Sequence, residues 1–333
     1  MKIKLLYIGA IFLISIILII GLIKGGYTVQ PTQIFDAFSR YDHSSPVHFA
    51  IVHFRLPRLI IAFIGGAVLS LCGYLFQIIT QNALADPYVL GTASGASLGA
   101  NVAILSGLTV AFYQFSMVSV FAFVGAIVVT GVVFGLAQRR KSVNNTIMIL
   151  AGIAISALIS SATSLLIYYS NSSEKVRSLI FWAMGSFDKI NWSDVVFLGL
   201  SLLFVMLLLR VLHKEISILM LGEEMATTLG AKVKTIKLIV IFSMCLLVAY
   251  LVSRCGPIGF VGLVVPHIVR AWKIRSVKQQ LWLTIIVGGI FMMSCEVVSK
   301  LLYPPVGLPI GIITSILGVP YFIYILIEKN YKF

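Results

Sequence analysis

Few side chains in this sequence have the type and spacing to do chemistry, and most of the spacings argue against it. His43, His48 and His53 follow one another at intervals of five. At 3.6 residues per turn, neighbours five apart on a helix point about 140° away from each other and do not converge on a metal. They read as solvated loop histidines, and no metal site is expected. Cys72, Cys245, Cys255 and Cys295 lie in or beside apolar runs without ligand spacing. They read as packing residues, a Cys255–Cys295 disulfide being the less favoured alternative. Glu296 is the only acid well inside an apolar run. No glycine-rich loop ends in Gly-Lys-Ser/Thr, so the chain has no P-loop for ATP, and neither HExxH nor GxSxG occurs. The lack of a carboxylate series in the apolar runs counts against a proton- or sodium-coupled carrier.

One polar stretch remains, Lys214 to Lys237, KEISILMLGEEMATTLGAKVKTIK, flanked by apolar runs. Gly222 precedes Glu223 and Glu224, which suit the positive end of a helix dipole. Gly230 suits a left-handed C-cap. Met225 and Leu229, four apart, share one face of the short helix this predicts, beside Ala226. Such a face should press on something.

The elements that carry these residues are membrane spans. The chain has 333 residues, 59% hydrophobic and 11% charged, against about 25% charged in a soluble domain. Mean hydropathy is +1.05. The apolar periodicity is helical, so the expected class is an all-α integral membrane protein. Runs near 5–23, 56–80, 88–106, 109–137, 147–169, 193–212, 236–253, 258–270, 280–302 and 306–327 make ten expected spans, the first read as uncleaved.

The net charge of +14 could suggest nucleic acid, but the cations lie mostly in short loops, where membrane orientation is the simpler cause. With the N-terminus inside, 16 of the 25 Lys and Arg residues fall on cytoplasmic loops, so both ends are expected in the cytoplasm. The stretch 214–237 is then cytoplasmic, and 171–192 is an outer segment expected to hold a short surface helix. Two Gly/Pro-interrupted segments, Asn82–Gly99 and Cys255–Pro266, enter from opposite faces. They fit either an inverted repeat or close packing of small residues.

Seven stretches in order resemble the FecCD/BtuC-like permeases of ATP-binding-cassette (ABC) importers for iron–siderophores, haem and cobalamin. They are RLPRLIIAFIGGAVLSLCGYLFQ (55–77), QNALADPYVLGTASGASLGA (81–100), LAGIAISALISSATSLL (150–166), SLIFWAMGSF (178–187), LGEEMATTLG (221–230), GPIGFVGLVVPHIVR (256–270) and LPIGIITSILGVPYFIYIL (308–326). The resemblance implies a single permease domain over 1–333 with the BtuC-like fold. It also implies a second permease subunit, identical or homologous, two ABC ATPase subunits and an extracytoplasmic substrate-binding protein. ATP and Mg would bind the ATPase, and this chain would bind no cofactor and do no catalysis. Surrounding lipid is expected and nucleic acid is not. The location implied is a bacterial cytoplasmic membrane.

The family's residues carry over position by position. Leu221, Gly222, Glu223, Glu224, Met225, Ala226, Leu229 and Gly230 would seat in the ATPase cleft. Arg55 and Arg58 would hold carboxylates of the binding protein, a task that suits the guanidinium fork. A third basic position, in an Asp-x-x-x-Arg pattern, reads Glu296-Val-Val-Ser-Lys300 here, and Lys300 keeps the charge without the fork. Asn145 and Thr146 match the cytoplasmic gate, though either is also a good helix cap. Ferric siderophore is the first substrate on family frequency, with haem or cobalamin as alternatives. An ion-coupled secondary transporter is the competing function, followed by a polytopic membrane enzyme.

Overall fold

The computed structural model describes residues 2–107, 111–112, 115–138, 145–274 and 276–328. Of the 16 cations assigned to cytoplasmic loops, Arg139, Arg140, Lys141, Arg275, Lys329 and Lys332 lie outside these residues. The helices in chain order are α1 (Lys2–Ile23), α2 (Pro31–Ser39), α3 (Pro46–Phe49), α4 (Leu56–Thr80), α5 (Thr92–Ser106), α6 (Met117–Ala137), α7 (Asn145–Tyr168) and α8 (Ser173–Ala183). There follow α9 (Trp192–Val211), α10 (His213–Leu219), α11 (Glu223–Thr228), α12 (Val233–Cys255), α13 (Val261–Ala271), α14 (Val277–Leu302) and α15 (Ile310–Glu328). A π-helical turn, Ala50–Arg55, runs α3 into α4. Two-residue strands, Ala111–Phe112 and Phe115–Ser116, pair antiparallel ahead of α6.

Among the described residues, seven helices are long and apolar enough to cross a membrane: Leu5–Ile23, Pro46–Thr80, α6, α7, α9, α12 and α14. Residues Val261–Ala271 and Ile310–Ile325 are apolar but shorter. The expected spans at 88–106 and 258–270 differ most from the structure. The first is a 3₁₀ turn, Pro87–Leu90, then a left-handed Gly91 and the 15 residues of α5. The second begins only after Gly256 and Phe260, both at positive φ, and runs for 11 residues with Pro266 inside. Hydropathy registers neither break, because the residues that interrupt the helices are themselves apolar or small.

The chain divides into two compact units. One comprises Met1–Leu71, Ser186–Leu202 and Gly259–Lys329. Its core joins Ile17 and Leu22 of α1 to Ile51, Leu59, Met293 and Val297. α4 and α14 meet here through glycine, since a Cβ at Gly66 would lie 2.1 Å from the Gly288 carbonyl oxygen. The Ser70 hydroxyl donates to the Thr284 carbonyl at 2.9 Å.

The other unit is built from Cys72–Gly185 and Leu203–Ile258. α5 and α6 pack backbone to backbone, as small residues allow in the absence of water. A Cβ at Gly95 would sit 2.4 Å from the Gly125 carbonyl oxygen, and one at Gly99 would sit 1.9 Å from that of Phe121. The segment Asn82–Gly99 thus realises close packing of small residues. Gly99→Ala must push α5 off α6. Overpacking of this kind costs about 1–3 kcal/mol, so folded, detergent-soluble protein should fall in a fluorescence size-exclusion assay, while Gly131→Ala, with open space around it, should match wild type.

The expected surface helix in 171–192 is α8, capped by the Ser172 side chain at the Lys175 N–H. Lys175 in turn donates to the Leu105 carbonyl at 2.6 Å and caps the end of α5. All four cysteines are free and buried. The three histidine rings gather around Tyr41, with centroids 4.8 Å (His43), 6.2 Å (His48) and 6.2 Å (His53) from its own, but among the described residues no cluster could hold a metal: His48 Nδ1 accepts from the Asp42 N–H, and the His53 ring packs on Phe49.

Candidate functional site

The helix expected at 223–229 is α11. Its end is a Schellman closure: the Ala231 N–H donates to the Ala226 carbonyl and the Gly230 N–H to that of Thr227, with Gly230 at φ +81°. Only a residue without Cβ takes that φ at no steric cost. Ala226 is fully buried beneath the helix. Met225 is 52% and Leu229 56% exposed, and Met220 and Leu221 are exposed beside them. A six-residue helix and its flanks therefore leave four large apolar side chains exposed, the arrangement of a surface that meets a partner.

Glu223 and Glu224 part company. Glu224 is exposed, whereas the Glu223 carboxylate turns inward to an ion pair with the Lys237 ammonium. The Asn145 side chain completes the set, its Nδ2 donating to Glu223 Oε1 at 2.8 Å and its Oδ1 accepting from Lys237 at 2.9 Å. Asn145 opens α7, so the residue expected at the gate is joined directly to the helix expected to meet the ATPase. Sequence reading placed Lys237 among the loop cations. The structure buries it to 1% exposure in the second turn of α12. Beyond Asn145, α7 keeps Ser160, Ser161 and Ser164 at its surface along with Leu158 and Leu165.

The basic residues expected to face a binding protein do different work from one another. Arg55 gives its N–H groups to backbone carbonyls, to Leu22 at 2.6 Å, Ile23 at 3.2 Å and Tyr27 at 2.7 Å, and lies over the Tyr27 ring. It closes the C-terminus of α1, giving the Leu22 carbonyl a donor and joining the Val29 N–H at that of Ile23. Arg58 pairs with Asp188 and lies 3.6 Å from the Glu296 carboxylate. Lys300 reaches the same Asp188 oxygen at 3.1 Å and also donates to the Val306 carbonyl. Glu296 and Lys300 are one helical turn apart on α14, which brings one to Arg58 and the other to its partner Asp188. Arg55, Arg58, Lys300 and Lys24 line one cavity of about 160 Å³, with Glu296 the only acid among the described residues of its wall. Sequence reading missed Lys24 and Asp188. The only local signal for Asp188 was an acid directly after the SLIFWAMGSF stretch.

Partial burial pushes the Asp188 carboxyl up, but Arg58, the Ser186 hydroxyl and Lys300 outweigh it and hold the group below the usual carboxylate range. A depressed folded value stabilises the fold above the unfolded carboxyl's titration, and that contribution is lost as pH falls through the folded value. The Tm difference between wild type and Asp188→Asn in detergent should therefore be present at neutral pH and vanish only below about pH 4. A difference that grew on acidification would overturn the pairing.

The comparisons agree with this architecture. Residues 13–328 match the FecCD transport family. The Fe(3+)-citrate import system permease protein YfmE of Bacillus subtilis is 31% identical, the alignment covering 95% of this chain and 94% of that protein. The vitamin B12 import system permease protein BtuC of Yersinia enterocolitica is also 31% identical, over 96% and 91%. A solved structure described as an inward-facing metal-chelate type ABC transporter superposes with a TM-score of 0.84 at 31% identity, over 98% of this chain and 99% of that one. A family match spanning nearly all of the sequence, and a common fold along its whole length, place the chain in the FecCD transport family.

Proposed function

We propose that this permease subunit of an ABC importer for metal chelates forms half of a channel, and that its cargo is a ferric siderophore, with haem or cobalamin as the alternatives. The observation that carries the reading is α11, a rigid glycine-closed helix that presents Met225 and Leu229 to solvent. Its apolar face fits the cleft of a separate ATPase subunit, which would bind ATP and Mg. Seven long apolar helices, with α5, α13 and α15, support ten spans, and the loop cations support both ends in the cytoplasm of a bacterial inner membrane. The second permease copy, identical or homologous, would face the surface serines of α7.

Outside, the cavity of Arg58, Lys300 and Lys24 would take acidic side chains of a substrate-binding protein, with Arg55 fixing its wall. At the inner end, Asn145 and Thr146 would narrow the path. Uptake of labelled ferric siderophore, haem and cobalamin should be compared in a strain with and without this gene. Loss of one, restored by the gene and abolished when ATP is depleted, is the expected result. Normal uptake of all three would sink the assignment, and uptake driven by an ion gradient without ATP would favour a secondary transporter.

A further inference from the structure

We propose that Asn145, Glu223 and Lys237 form a latch that carries movement of α11 to the start of α7, with Lys237 as its positioning residue. This rests on the reading of α11 as the ATPase-docking helix. Three elements supply one group each: the first residue of α7 and, far along the chain, the first turn of α11 and the second turn of α12, which follows it. Lys237 Nζ contacts both Glu223 Oε1 and Asn145 Oδ1, and Asn145 Nδ2 bonds the same Glu223 oxygen. The ring is closed. The amide must donate to the carboxylate and accept from the ammonium, which fixes its orientation.

Burial gives the ring its mechanical meaning. Lys237 has almost no exposure to solvent, and an ammonium removed from water is tolerated only with opposite charge and hydrogen bonds around it. If α11 shifted alone, Glu223 would leave an unpaired charge behind. The lower-energy course is for Asn145, and with it the start of α7, to follow. A buried, mutually hydrogen-bonded set of this kind has discrete arrangements, as a switch element needs. Glu223 lies two residues from Met225, so a partner that seats on the exposed face acts almost directly on the ring. The latch also accounts for the asymmetry of the acid pair, with Glu224 outward and Glu223 inward.

The test uses the whole importer, both permease subunits with ATPases and binding protein, in proteoliposomes. Its readouts are co-purification of the ATPase and uptake of labelled chelate per ATP hydrolysed, with ferric siderophore, haem and cobalamin as probes. Lys237→Met should retain the ATPase but lower uptake per ATP at least tenfold, and Lys237→Arg should recover most of it. Asn145→Ala leaves the Lys237–Glu223 pair intact, so the fold is retained, yet it cuts α7 from the ring and should lower the ratio several-fold. If Asn145→Ala couples normally, the latch is overturned, whatever becomes of Lys237→Met. An unmutated chain that retains no ATPase would instead remove the docking reading beneath it.

Discussion

Replacing Met225 and Leu229 together by glutamate is expected to abolish uptake without loss of folded protein. Both side chains are more than half exposed, so the free permease loses no core packing. Burial of a Met or Leu side chain contributes about 1.5–3 kcal/mol when complete. With both apolar side chains gone, and two carboxylates to be desolvated in their place, docking weakens by about 3 kcal/mol or more. At 1.4 kcal/mol per tenfold, that is at least ~100-fold in affinity. Co-purification with the ATPase checks the binding directly, and binding-protein docking from outside should be untouched. The informative contrast is Ala226→Leu, which places new volume under the helix and should damage the fold itself. Retained ATPase binding in the Met225/Leu229 double variant would mean that the exposed face meets something else.

Reversal of charge at Arg58 is the second large effect, and the structure separates it from Arg55. Arg58→Glu brings a new carboxylate beside Asp188 and Glu296, which removes the positive charge at that point of the pocket and sets a negative one in its place. A binding protein that offers carboxylates would then meet repulsion where it had a fork of donors. Loss of a close charge pair across an interface costs about 2–5 kcal/mol, or roughly 30-fold upward in Kd. Surface plasmon resonance with the cognate binding protein measures it, at low and high salt. Arg55→Glu should act differently. It takes the Arg55 donors from the Leu22 and Tyr27 carbonyls and leaves that of Ile23 with the Val29 N–H alone, so folded yield falls before docking can be judged. Equal docking by wild type and Arg58→Glu would remove Arg58 from the interface.

Much of this was legible locally. Gly222, the paired acids and Gly230 gave both ends of α11, because a helix start and a Schellman end are set by the φ and hydrogen-bonding capacity of a few adjacent residues. The long spans were legible because about twenty apolar residues in a row have few other uses. The breaks before α5 and α13 were located but not resolved: Gly91 and Phe260 decide them through backbone angles that hydropathy does not register.

Partnership between charges was beyond the sequence. Lys237, counted as one more loop cation, differs from Lys232 and Lys234 only in what surrounds it, and Asn145, 92 residues away, is half of that answer. Arg55 and Arg58 share one short motif, yet one finds the end of α1 and the other finds Asp188, 130 residues on. The sequence by itself determined a polytopic helical membrane protein and a short glycine-bounded helix between two of its spans, because chain-local hydropathy and backbone preference suffice for both. Only the tertiary structure decided which charges are spent inside the protein and which remain for others, because a buried ion pair is made by residues that the fold, not the chain order, brings within reach.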